Sequence, residues 1–354
     1  MNGERSDTIS AVSSLTVRQI DYLNIGLMLV ACLCAFIVPF ELFLLAYAVL
    51  GPLHYLTEIS WLHDRGYFAG PRQTGGASRA NRLWLSLVMV TLAVMLFGVI
   101  SEKILGKMVT PTWEIALFYL VFVTAALLVF VKNAVARVML AGLTAAALLL
   151  FNDTQYYALI AFFLITIIHV LVFTGAFILH GALKSKSRSG LLSLAVFVAC
   201  TASFFFYSPD ALMHAVGDYV RNSYSAFQML NIQLIKLFHP GSGASLQDIY
   251  ESSTGLAVMR LIAFAYTYHY LNWFSKTSII KWHEIPRTRS TLIVGLWLAS
   301  LVLYAYSYET GMIALYFLSV LHVMLEFPLN HHTFVGIGRE LQAFAPPPNI
   351  ASHN

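Results

Sequence analysis

The sequence predicts an all-α protein, a polytopic transmembrane bundle of about ten helices. Hydrophobic residues make up 58% of its 354 residues and charged residues only 11%, and its mean hydropathy is +0.72. Soluble domains rarely have such a composition. The apolar residues also come in blocks of roughly 20, the length that a helix needs to cross a bilayer. We therefore expect one integral-membrane domain over residues 1–345 and a disordered tail over 346–354.

The predicted spans follow the apolar blocks in order. They cover residues 22–39, 41–62, 83–101, 113–131, 135–151, 155–180, 191–208, 255–274, 291–307 and 311–328. Pro39 and Glu41 mark the turn between the first two spans, which are nearly fused. A long connection, 208–254, carries apolar and aromatic residues at helical spacing over 218–238. That segment predicts either a helix lying in the membrane interface or a small helix packed outside the membrane.

The basic residues predict the orientation. With both termini in the cytoplasm, 16 of the 21 Lys and Arg residues fall on the inner side and 4 on the outer side. This bias is the pattern of membrane proteins that keep positive loops inside. We therefore expect an integral multi-pass protein, located in the inner (plasma) membrane if the source is bacterial.

Two further classes of site are disfavoured. No basic patch with interleaved aromatic residues occurs, so no nucleic-acid partner is expected. The three cysteines, Cys32, Cys34 and Cys200, lie in apolar runs and form no CxxC pair. Neither a disulfide framework nor a thiolate metal site is therefore predicted.

Nine of the twelve histidines fall in, or just beyond, the inner halves of four spans, the second, sixth, eighth and tenth. All four spans run from outside to inside in this topology. His54, His169, His269 and His322 can therefore lie at a similar depth in the membrane. Histidines that only pack in the core would be expected in both halves of the membrane, not in one. Ionisable groups inside a membrane cost about 2.5–3.5 kcal/mol on insertion scales and mark functional sites by default.

Two segments repeat one spacing. In "LHYLTEISWLHD" (53–64) and "LHVMLEFPLNHH" (321–332), a histidine is followed four residues later by a glutamate and five residues after that by another histidine. Residues four apart share a helical face, so His54 with Glu58 and His322 with Glu326 each present an imidazole and a carboxylate together. The third histidine needs a bend to reach the same point. Pro328 offers one in the second copy, whereas the first copy has none.

Mixed imidazole and carboxylate ligands without thiolate suit non-haem iron, with zinc or manganese as alternatives. Two helices that each supply His and Glu could hold two metals, as in di-iron bundles. The predicted metal ligands are His54, Glu58, His63, His269, His322, Glu326, His331 and His332. The alternative for the repeated pairs is a proton relay or hydrogen-bonded packing, and the alternative for His269 is hydrogen bonding among tyrosines and Asn272.

The sequence does not decide the roles of three other histidines. His169 is a candidate ligand or a group that orients one. His180, beside Gly181, is a candidate helix cap. His283 belongs with Glu284 to a predicted interfacial loop, for which solvent exposure is favoured over a ligand role.

The segments "GPLH" (51–54) and "YHYLNW" (268–273) resemble histidine-bearing segments of the Brp/Blh-type β-carotene dioxygenases. Those polytopic membrane enzymes use non-haem iron to split carotene to retinal. The resemblance covers the spans in outline, and it implies that His54 and His269 are iron ligands. It implies a class of reaction, not a substrate.

The predicted function is a membrane-bound, metal-dependent oxygenase that acts on a lipophilic substrate at the inner face, with O2 and an electron donor as partners. One alternative is a metal-ion or proton transporter that uses the same His and Glu residues. Another is a zinc hydrolase of lipid amides, in which metal-bound water attacks a carbonyl. Haem binding by paired histidines leaves the two glutamates unexplained.

Overall fold

The computed structural model describes residues 16–69, 79–106, 111–150, 164–207, 216–238, 244–276 and 285–344. These residues are almost entirely helical, and no strand occurs among them. The helices are α1 (Val17–Ile37), α2 (Pro39–Asp64), α3 (Arg79–Leu105), α4 (Pro111–Phe130), α5 (Ala134–Leu150), α6 (Leu164–Phe173 continued by Thr174–Lys184), α7 (Arg188–Phe206), α8 (Asp218–Tyr224), α9 (Gln228–Phe238), α10 (Asp248–Glu251), α11 (Ser253–Ser275), α12 (Arg287–Tyr306) and α13 (Tyr308–Phe344).

Eight of the described helices are long and apolar enough to cross a membrane, which is compatible with an integral, multi-pass membrane protein. A described helix lies at each of the ten predicted spans, although the first part of the sixth span falls outside the described residues. The two helices beyond the eight are α5, which is shorter, and α11, which carries Arg260 and several polar side chains. The number of spans and the cytoplasmic termini stay predictions.

Proline and glycine shape the start of α2. Val38 leaves the helical region with φ −134°, and Pro39 begins the next helix because its missing N–H is not needed there. The helix widens to π geometry over Ala46–Leu50, directly before Gly51 and Pro52. Because Pro52 cannot donate a hydrogen bond to the preceding turn, regular α geometry is harder to keep there. The widened turn sets the rotation of the segment that carries His54.

The centre of the bundle is α11. Every residue from Gly255 to Tyr270 is buried, because α1, α7 and the first part of α2 pack around this helix. An apolar cluster that includes Phe40, Phe43 and Phe264 forms there. A second group of helices packs around α13, which contacts α2, α4, α6 and α12. The four helices with histidines at one depth are therefore neighbours in the structure.

The 218–238 segment forms two helices joined by a short 3-10 turn, Ser225–Phe227. It buries Tyr224 and Leu234 completely, and the Tyr224 ring meets Phe40 and Phe43 edge-on. The segment therefore packs against the start of α2, and its position relative to the membrane interface stays a prediction. The predicted tail, 346–354, lies outside the described residues.

Candidate metal centre

Four histidines from four helices meet inside the bundle. His54 of α2, His169 of α6, His269 of α11 and His322 of α13 are each at most 6% exposed. The ring centroids of His54 lie 4.8 Å from His269 and 5.3 Å from His322. Those of His169 lie 5.2 Å and 5.4 Å from the same two rings. These four residues are the histidine cluster.

Three members of the cluster are placed to share one ion. His54, His269 and His322 each offer a ring nitrogen, and these nitrogens lie within 4.8 Å of one another. The Nε2 atoms of His54 and His269 are 3.1 Å apart. Two nitrogens bonded at right angles to one ion at about 2.1 Å would be separated by roughly 3 Å. The same separation also suits a hydrogen bond from one ring to the other.

The tautomer of His269 follows from its other nitrogen. Thr174 Oγ1 lies 2.7 Å from the carbonyl oxygen of Val170 and 2.9 Å from His269 Nδ1. A hydroxyl has one hydrogen, and the carbonyl takes it, so Oγ1 accepts from the Nδ1–H of His269. The lone pair of His269 is then on Nε2, which faces His54. Such fixing of one ring nitrogen by a neighbour is usual for metal-bound histidines.

Two buried glutamates contact the cluster. Glu58 Oε2 lies 3.0 Å from His54 Nε2, one turn away on the same helix. Glu326 Oε2 lies 3.1 Å from His169 Nδ1, on a different helix. The first pair therefore contacts as its spacing predicts, whereas the second glutamate reaches across to His169 instead of His322.

Several polar atoms of this cluster make no normal hydrogen bond to the described residues. They are His54 Nδ1, Glu58 Oε2, both ring nitrogens of His169, both ring nitrogens of His322, and Glu326 Oε2. Buried polar atoms are nearly always satisfied in folded proteins. An ion bound among the rings would satisfy those that face inwards. The donor set of this site therefore fits a metal.

Aromatic side chains surround the cluster. The ring of Tyr55 stacks on His322 with centroids 4.2 Å apart, and its hydroxyl is 2.8 Å from that of Tyr270. Gly51 makes this approach possible, because a Cβ there would meet the Tyr55 hydroxyl at 2.9 Å. Trp273 donates from Nε1 to Thr57 Oγ1 at 3.0 Å. These contacts restrict the rotation of the cluster's supporting helices.

The structure places three predicted ligands apart from the cluster. His63 is 64% exposed and lies beside Asp64. His331 donates from Nε2 to the carbonyl of Phe122 at 3.3 Å. His332 donates from Nε2 to the carbonyl of Phe68 at 3.1 Å.

The reason for this separation is the course of the helices. The bend expected at Pro328 does not end α13, which continues to Phe344. Nine residues at 3.6 per turn place His331 on the opposite face from His322. The same count separates His63 from His54 on α2.

A cavity of about 400 Å³ borders the cluster. It reaches His54, His269, Glu58 and Glu326, and it is also lined by His180. His180 lies inside α6 and does not cap it. His283 and Glu284 fall outside the described residues, so their predicted positions stay predictions.

The sequence does not specify the roles of two residues of the site. The position of His169 depends on a π-helical segment, Leu164–Phe173, that apolar periodicity does not reveal. Thr174 lies five residues after His169 on the same predicted span. A hydroxyl near an intramembrane histidine is a weak signal for such a role.

Comparison of the chain with family models, curated proteins and solved structures gave no match. The resemblance to Brp/Blh-type enzymes therefore stays a prediction, carried by the two quoted segments. The histidines of those segments, His54 and His269, both belong to the described cluster, with their Nε2 atoms 3.1 Å apart.

Proposed function

We propose that this chain is a membrane-bound, metal-dependent oxygenase that acts on a lipophilic substrate, with non-haem iron held by the histidine cluster. The observation that supports it most is the grouping of three donors. His269 Nε2 lies 3.1 Å and Glu58 Oε2 lies 3.0 Å from His54 Nε2. Two imidazoles and one carboxylate with open positions are the usual ligand set of non-haem iron oxygenases.

The surrounding residues support iron over metals that prefer sulfur. Among the described residues, no cysteine belongs to a metal-binding group with the cluster. His322 is a candidate fourth ligand, and Glu326 would orient His169 through Nδ1. A second metal near His169 and Glu326 would make the centre di-iron. Zinc or manganese would be the alternative occupants.

The protein's contribution to such a reaction is position and exclusion of water. Thr174 holds His269 in the tautomer with a free Nε2. Tyr55 packs over His322 and covers one side of the cluster. When bound, iron would supply the activation of O2, which an external electron donor would support. The apolar cavity would bring the lipophilic substrate to the metal from the inner side of the plasma membrane.

Elemental analysis of the protein purified in detergent tests this proposal. Cells would be grown with iron, zinc and manganese present together, and the metal content would be measured with the absorption spectrum. We expect stoichiometric iron without a haem band. Zinc alone would favour the lipid amide hydrolase, and the absence of any retained metal would favour a transport path or hydrogen-bonded packing. Either result would overturn the oxygenase.

A further inference from the structure

The cavity beside the histidine cluster has an apolar wall. Trp61, Phe68, Phe177, Trp273 and Leu329 line it. Its volume of about 400 Å³ lies in the range of small-molecule sites. An apolar chain therefore fits along this wall, with one end near His54 and His269.

Two lysines line the same cavity, and their backbone positions lie one to three helical turns beyond those of the site residues on the same helices. Lys184 ends α6, ten residues beyond Thr174, which corresponds to about 15 Å of helix. Lys276 follows α11, seven residues beyond His269, or about 10 Å. A second cavity of about 440 Å³ is lined by both lysines as well. The two ammonium groups therefore mark the point where the cavities adjoin, on the predicted inner side.

The described residues supply no carboxylate partner within 4.0 Å for either lysine. The acidic residue that lines the second cavity, Asp21, instead accepts hydrogen bonds from Ser187 and Ser189, each at 2.7 Å. Lys276 Nζ lies 5.6 Å from the centroid of the Phe177 ring. Burial lowers the pKa of Lys276 to about 8, although the charges of Glu326 and Glu58, which line the same cavity, oppose this shift. An anion between the lysines would stabilise their charged forms.

We propose that Lys184 and Lys276 bind the anionic head of an amphiphile whose apolar chain extends along the cavity to the histidine cluster. This assignment names the substrate class of the proposed oxygenase and rests on that function. A carboxylate or a phosphate satisfies the same chemistry, so the amphiphile is a fatty acid or an anionic phospholipid.

Lysines at the inner ends of spans also arise from topology alone, and the chain offers a control for this. Lys132 and Lys186 lie on the same predicted side, are exposed and line neither cavity. The double substitution Lys132→Gln with Lys186→Gln removes the same charge as Lys184→Gln with Lys276→Gln. A difference between the two variants therefore reports the cavity and not the net charge.

Quenching of tryptophan fluorescence measures the binding directly, because Trp61 and Trp273 line the cavity. The probes are a bromine-labelled long-chain fatty acid and its methyl ester, added to the protein in neutral detergent. We expect the acid to bind about tenfold or more tightly than the ester, the size expected for charged hydrogen bonds. Lys184→Gln with Lys276→Gln should remove that preference, whereas Lys184→Arg with Lys276→Arg and the control pair should keep it.

Competition identifies the head group. Displacement of the bromine-labelled acid by unlabelled fatty acid alone supports a site for a carboxylate head group. Displacement by lysophosphatidic acid as well supports a site that also accepts a phosphate head group. Equal binding of acid and ester, or an unchanged preference in Lys184→Gln with Lys276→Gln, overturns the inference.

Metal content is measured on the same samples. A protein with normal iron and no acid preference refutes the anion site alone, whereas one that prefers the acid but holds no metal refutes the oxygenase alone.

Discussion

The Nε2 atoms of His54 and His269 lie 3.1 Å apart, although 215 positions separate the residues in the chain. The hydrogen bond between His269 Nδ1 and Thr174 Oγ1 directs the lone pair of His269 towards His54. Glu58 contacts the same His54 nitrogen. This arrangement makes specific predictions about metal retention.

Replacement of the central histidines should remove the metal without preventing insertion. We expect His54→Ala and His322→Ala each to lower bound metal to background and to abolish activity, because each removes a nitrogen of the three-histidine group. The apolar residues that direct insertion are unchanged. Metal content per purified chain checks this, with His63→Ala as the exposed control. Normal metal in both central variants would rule out the site.

Thr174 should control metal affinity through His269. Thr174→Val keeps the shape but removes the acceptor for Nδ1–H, so we expect metal affinity to fall by about 10–100-fold, as for other outer partners of metal ligands. Thr174→Ser should restore it, since the hydroxyl remains. Competition with a chelator measures both. If Thr174→Val and Thr174→Ser lose metal equally, packing and not the hydrogen bond explains the effect.

The two glutamates should differ if one metal is bound. Glu58→Gln weakens a direct ligand and should remove most of the metal, whereas Glu326→Gln should cause a smaller loss, because Glu326 contacts His169. The ratio of metal to protein in both variants distinguishes the cases. A loss of half the metal in each would indicate two metals. Unchanged metal in Glu58→Gln would remove this residue from the ligand set.

The predicted orientation places the cavity's lysines in the cytoplasm. In a background with the three native cysteines replaced by alanine, Lys186→Cys should react with a membrane-impermeant maleimide only after the cells are opened. Leu246→Cys, at an exposed position before α10, should react in intact cells. The reverse pattern would move the cavity to the outer face. Reaction of both in intact cells would refute the single span, α7, that is predicted to separate the two positions.

The sequence by itself determined where along the chain the helices lie and which side chains are predicted at a similar depth in the membrane. Apolar runs of membrane-spanning length predict helices wherever they occur, and the four-residue spacing placed Glu58 beside His54 because both lie on one helix. His269 could also be proposed, since its span runs in the same direction as the others.

Only the tertiary structure decided which residues meet between helices. Glu326 contacts His169 and not His322, and His331 packs against Phe122. These outcomes depend on how far each helix is rotated about its axis. The π-helical turns in α2 and α6 and the packing of neighbouring side chains set that rotation. A one-dimensional pattern specifies the face of a helix but not the partner that this face meets.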